Sequence, residues 1–194
     1  MKERFVKRWM PLIIIGVILL IVFATFSGRY NSLVGLQEGA RAAWAQVENQ
    51  YQRRADLIPN LVATVKGFAK QEREVLTEVT RLRSQWGKAR ASGNIGQRIQ
   101  AARGLDSALG RLMVVIERYP QLRSNQNFLA LQSQLEGTEN RVSVERRRYN
   151  LAVQGYNTTV RRFPSNIIAG FFNFKRMQLF EAEATAKKVP KVKF

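Results

Sequence analysis

The chain has 194 residues, 45% of them apolar, and a formal net charge of +18, with neither cysteine nor histidine. That size and apolar content suffice for one cored domain with appendages and exclude wholesale disorder. The missing residue types exclude disulfides, thiol chemistry, a cysteine-borne lipid anchor, Cys/His zinc sites and imidazole acid–base catalysis within this chain. The charge predicts attraction to something anionic, with a merely basic, soluble surface as the plain alternative.

In chain order, a basic segment over 1–8, "MKERFVKR", precedes an uncharged stretch over 9–28. As a helix that stretch rises roughly 30 Å, the thickness of the bilayer hydrocarbon. Pro11 falls in its first turn, where the absent N–H does no harm. Thr25-Phe26-Ser27 is a poor small-x-small cleavage site and the apolar run is long for a signal peptide. A retained transmembrane anchor over 9–28 is therefore expected. Lys2, Arg4, Lys7 and Arg8 stand before it, and only Arg29 and Arg41 within about 20 residues after it. This bias places the N-terminus in the cytoplasm and the remaining chain outside a bacterial cell membrane.

Over 29–163 apolar residues recur every three or four positions, the period of helices rather than strands. One stripe runs Leu33, Leu36, Ala40, Trp44, Val47, Tyr51, Ala55, Ile58. A second runs Leu61, Val65, Phe68, Leu76, Val79, Leu82, Trp86, with Glu72 as its polar gap. The turn-rich "GKARASGNIGQR" separates these from Ile99, Ala102, Leu105, Leu109, Leu112, Ile116, Tyr119. After "YPQLRSNQN" the last stripe is Phe128, Leu131, Leu135, Val142, Tyr149, Ala152, Tyr156, Val160, Phe163. Pro59 removes one helical hydrogen bond and crowds the Ala55 carbonyl, so a kink or short break is expected near residues 58–60. The fold class is all-α: an N-terminal transmembrane helix, then an elongated antiparallel bundle of three long helices, four if Pro59 breaks the first. The near-heptad spacing predicts coiled-coil-like packing.

The segment 164–194 opens with "FPSNIIAGFFNFKRM" read from Phe163. Pro164 ends the long helix, Ser165 or Asn166 caps a short new one, and a basic tail "KKVPKVKF" follows. Ile167, Ile168, Phe171, Phe172 and Phe174 either seal the bundle's end as core or form a contact patch for a partner, the membrane surface or a second copy.

No catalytic constellation emerges. Glycine-rich phosphate loops and nucleophile elbows are absent, and acids lack the companions of a metal or acid–base site. No catalytic, cofactor-binding or metal-ligating residue is nominated, and no cofactor is expected. Asn157-Thr158-Thr159 has the form of a glycosylation acceptor but falls mid-helix, which reads as chance. Arg53, Arg54, Arg146, Arg147 and Arg148 are the candidate contacts with an anionic surface, since guanidinium forks match phosphate. The bland alternative for each cluster is a solvated helix face.

The N-terminal anchor, "YNSLVGLQEGARAAWAQVENQYQRRADLIPNLVATVKGFAKQEREVL" (Tyr30–Leu76) and "YNTTVRRFPSNIIAGFFNFKRMQLFEAEATAKKVPKVKF" (Tyr156–Phe194) together resemble the LemA family, with Thr77–Gly155 similar by helical pattern. The longer basic turn at Gly87–Gly96 and the phenylalanine-rich "GFFNF" depart from it mildly. The resemblance implies a single-span bacterial membrane protein with an antiparallel helical bundle, and it supplies no reaction or site residues. Two readings of function follow. One is a non-enzymatic, self-associating scaffold of the cell envelope. The other is a binder of anionic lipid or a phosphate-bearing envelope polymer. Expected partners are the bilayer through 9–28, a second copy, other envelope proteins or anionic lipid. Nucleic acid is disfavoured, because no reader module is present.

Overall fold

The computed structural model describes residues 2–69, 71–92 and 94–180, with side chains from Trp9 onward. The basic tail at 187–194 and the side chains of the 1–8 segment lie outside these. The described chain is all-α, with helices α1 (Lys2–Phe68), α2 (Arg73–Ala91), α3 (Ile95–Ile116), α4 (Pro120–Arg123), α5 (Gln126–Arg161) and α6 (Ser165–Phe171). It forms two compact units. One comprises the chain up to Arg41 with Ala152–Met177, the other Ala42–Leu151 with the chain from Gln178.

The second unit is a four-helix antiparallel bundle. Side-chain contacts set the directions. Gln52 of α1 accepts from Arg90 of α2, and Ala55 accepts from Arg83, so α1 and α2 run oppositely. Glu48 pairs with Arg98 and Arg54 with Asp106, so α3 runs with α1. Trp44 packs on Tyr149 while Arg54 reaches Glu139, so α5 runs against α1. The expected stripes fill the core: Val47, Ile58, Leu61, Val65, Val79, Trp86, Ile99, Leu105, Leu112, Phe128, Val142 and Tyr149 are all buried. A Cβ on Gly104 of α3 would lie 3.2 Å from Leu82 Cδ2 of α2, so glycine lets these helices close up. Asn94 caps α3 by accepting from Gln97 N at 3.2 Å, and Asn125 does the same for α5 through Phe128 N at 3.0 Å.

The helix break differs from expectation. α1 stays helical through Pro59 and ends only at Phe68. Proline at 59 deprives the Ala55 carbonyl of its usual donor four residues on. The Arg83 Nε of α2 donates to that carbonyl at 2.9 Å, supplying from outside the bond that the helix lacks. The fourth helix arises instead from a break at Ala69–Glu72. There Glu72, the polar gap of the second stripe, accepts from Tyr119 OH and pairs with Arg118, both at 3.2 Å.

The first unit holds the start of α1, the end of α5, α6 and the chain to Met177. Leu33, Ile168 and Ala169 form its small core, with Phe26, Tyr30, Val160 and Phe174 packed around it. Ser165 is the first residue of α6 rather than its cap, and it is buried. Phe163, expected as the last core position of its stripe, lies beyond the end of α5 and is 74% exposed. Along α1, every large apolar side chain from Trp9 to Phe23 is exposed. This segment is long and apolar enough to cross a membrane, with mean hydropathy 2.7 over an 18-residue window.

Arg83→Met should lower stability by about 1–2 kcal/mol, the cost of orphaning a buried carbonyl. In a Pro59→Ala background residue 59 again has an N–H for Ala55, and the loss should shrink. Equal losses in the two backgrounds, measured by denaturant unfolding followed by circular dichroism, would refute the compensation.

Candidate functional site

The sequence nominates five arginines as anion contacts, and the structure divides them. Arg54 is only 8% exposed. Its Nη1 donates to Asp106 Oδ1 at 2.6 Å and its Nη2 reaches Glu139 Oε2 at 2.5 Å. Arg146 pairs with Asp106 Oδ2, which also accepts from Tyr51 OH at 2.7 Å. Arg54 is thus corrected from a surface contact to a buried ion pair, and Arg146 to a half-buried one. The reason is position: each stands beside an apolar stripe residue and turns inward with it. Arg53 and Arg147 are exposed, and Arg148 is exposed and pairs with Glu145 at 2.7 Å.

A second constellation went unseen in sequence. Tyr149-Asn150 and Tyr156-Asn157 repeat after seven residues on α5, each followed by a buried or half-buried valine. Tyr156 OH donates to the Lys175 carbonyl at 2.9 Å, and the Asn157 amide both donates to Met177 O at 2.8 Å and accepts from Met177 N at 2.9 Å. Tyr149 and Asn150 repeat the pattern three residues on. Tyr149 OH donates to Gln178 O at 2.6 Å, and the Asn150 amide donates to Phe180 O at 2.9 Å and accepts from Phe180 N at 2.8 Å. Seven helical residues rise about 10.5 Å and three extended residues span about 10 Å, so the two periods match. Asn157 is thereby committed to the backbone and only 9% exposed, consistent with its acceptor motif being chance.

Phe180 is 6% exposed. Its ring stacks with Trp44 and Tyr51, and the Arg146 and Arg103 guanidiniums lie 4.3 and 5.6 Å from its centroid. Two cations against one ring make this a cation–π socket.

One open feature of the bundle is a groove of about 1000 Å³ between α1 and α2. Val62 and Leu76 floor it, Lys66, Arg73, Arg81 and Lys88 surround it, and Thr77, Thr80, Ser84 and Gln85 add hydroxyl and amide groups. Arg81 is held by Glu78 at 2.8 Å. Lys66, Arg73 and Lys88 join no ion pair among the described residues. The signal for this site was present, since Arg73, Thr77, Arg81, Ser84 and Lys88 recur at helical spacing on α2, but none of them is nominated from the sequence. Among the described residues no group of three acids is placed to hold a metal ion.

The five C-terminal apolar candidates also divide. Ile168 is buried, Phe174 and Phe172 are partly covered, and Ile167 and Phe171 are 61% and 80% exposed.

With this geometry in place, comparison with known proteins is informative. The LemA family profile matches residues 43–194. This chain belongs to the LemA family. It is 29% identical over 194 residues to Magnetosome protein MamQ 1 and to Magnetosome protein MamQ 2 of Paramagnetospirillum magneticum, covering 88% of this chain and 71% of each relative. It is 22% identical over 162 residues to Protein LemA of Metamycoplasma hominis, covering 84% of this chain and 73% of that protein. The LemA match takes in the bundle, the Tyr-Asn repeat and the docked segment, but none of the apolar run of α1.

Asp106→Ala should cost this LemA-family protein about 3 kcal/mol, since the buried Arg54 and the half-buried Arg146 lose their shared carboxylate, whereas Arg148→Ala should cost under about 1 kcal/mol. Comparable losses by denaturant unfolding would sink the distinction. Burial pushes the Tyr149 hydroxyl up from its ordinary 10 to about 12. A folded pKa above the unfolded one leaves the contribution intact below the unfolded pKa and removes it as pH rises toward the folded one. Wild-type stability relative to Tyr149→Phe should therefore be constant to about pH 10 and decline between about pH 10 and 12. A pH-independent difference would contradict this.

Proposed function

We propose that this LemA-family protein is a membrane-anchored, non-catalytic interaction scaffold of the bacterial envelope. It is held by residues 9–28 with its N-terminus in the cytoplasm. The groove between α1 and α2 is its contact surface, and an acidic amphipathic segment of another envelope protein is its partner. The groove carries this reading. Its apolar floor and cationic surround match a partner helix with one apolar and one acidic face. A net charge of +18 disfavours a second copy as occupant.

Self-association would use a different surface, the outer face of α5, where Val144 and Leu151 stand seven residues apart at 50% and 59% exposure. A second reading, binding of a phosphate-bearing polymer or anionic lipid, is favoured by the same unpaired groove cations together with exposed Arg53 and Arg147.

The test uses the full chain in neutral-lipid nanodiscs, titrated with an acidic amphipathic helical peptide and, separately, with polyphosphate. Reversing Lys66, Arg73 and Lys88 to glutamate should weaken peptide binding by roughly tenfold or more, with Arg53 and Arg147 reversals nearly silent. Peptide binding indifferent to the groove cations sinks the groove. Polyphosphate binding lost equally through all five residues favours the second reading. Light scattering of Val144→Glu/Leu151→Glu against wild type, both in detergent, decides self-association: a strictly monomeric wild type removes it.

A further inference from the structure

α6 has two faces. Ser165, Ile168 and Ala169 turn inward, the latter two against Leu33 of α1. The outer face carries Ile167 and Phe171, with Phe163 one step before the helix and Phe172 just after it. These side chains are 61%, 80%, 74% and 43% exposed. Asn166 is the one polar side chain exposed on α6, where a short helix on a water-facing surface would show mostly polar groups.

The position of this face is informative. The Phe172 ring lies 5.9 Å from Phe26 and 4.7 Å from Tyr30. Phe26 ends the apolar run of α1, so the outer face of α6 sits beside the end of the span. Residues 152–177 contain Arg161, Arg162, Lys175 and Arg176 but no acid. All four cations are exposed, and Arg29 joins them at the base of α1. Apolar residues flanked by cations next to a span's end are the pattern of an interfacial helix, whose rings enter the acyl boundary while its cations meet anionic headgroups.

We infer that α6 is a membrane-interface foot: Phe163, Ile167, Phe171 and Phe172 insert into the headgroup–acyl boundary of the bilayer that α1 crosses, and the neighbouring arginines and lysine bind its anionic headgroups. This rests on the reading of 9–28 as a span. It gives the protein a second attachment beyond the span and restrains rotation of the first unit about α1.

The chain lacks cysteine, so single labels report single sites. Full-length protein carrying an environment-sensitive fluorophore at Phe171→Cys, Val17→Cys or Ser124→Cys is reconstituted in phosphatidylglycerol-containing vesicles. Ser124 follows α4, at the opposite end of α5 from α6, and is the water-exposed control. The residue 171 label should be quenched by shallow lipid-borne spin labels roughly threefold more than the residue 124 label, and be shielded from aqueous iodide. Adding Ile167→Asn should reduce that lipid quenching without lowering the melting temperature. Iodide access equal to that at residue 124 overturns the foot. Shielding from both quenchers means a protein covers the patch, which also overturns it. The residue 17 label reads the span by itself: if it is open to iodide, the span fails and the foot with it. If it is lipid-quenched while residue 171 is not, only the foot fails.

Discussion

The bundle depends on one carboxylate. Asp106, on α3, accepts from Arg54 on α1, Arg146 on α5 and Tyr51 on α1, and so ties three of the four helices at one level. The buried Arg54 guanidinium and the half-buried Arg146 beside it depend on such compensation, because a buried charge left alone costs more than most other single defects. Arg146 extends the dependence. The guanidinium bound to Asp106 also lies over the Tyr51 and Phe180 rings. Asp106 thus also holds the guanidinium that lies over Phe180, 74 residues later in the chain.

The segment 174–180 shows how a chain without secondary structure can still be held. Beyond the Phe174 N–H, which donates to the Ala169 carbonyl of α6 at 2.9 Å, it has no ladder or helix to satisfy its backbone groups. Two tyrosine–asparagine pairs on α5 do this instead, each asparagine answering both polar groups of one residue. Such recognition reads backbone; among the side chains, Phe174 packs on the core of the first unit and Phe180 lies under the Arg146 guanidinium. A seven-residue helical repeat meets a three-residue extended repeat because the two rises nearly coincide.

Much of this was legible from residue patterns. The apolar stripes named the core almost position by position, since a helix presents every third or fourth residue to its neighbours. The LemA resemblance followed from the anchor and the stretches Tyr30–Leu76 and Tyr156–Phe194. The inward arginines were misread because each sits in a basic run that looks like a solvated face, and only the gap in the stripe between Val142 and Tyr149 hinted that something polar filled the core at Arg146. Pro59 leaves the helix unbroken for a related reason. Its local penalty is real, but the Arg83 donor that offsets it comes from a helix 24 residues away in sequence.

What the sequence by itself determined is the periodic part: all-α class, the apolar run of α1, the breaks within "GKARASGNIGQR" and "YPQLRSNQN", and the family. These depend on local propensity and spacing, which a linear pattern carries. Only the tertiary structure decided where the first helix breaks, which arginines are interior, that Tyr149-Asn150 and Tyr156-Asn157 bind backbone, and which face of α6 stays open. Each of these depends on a partner brought close by folding. A side chain's charge or hydroxyl has no fixed role until that partner is in place.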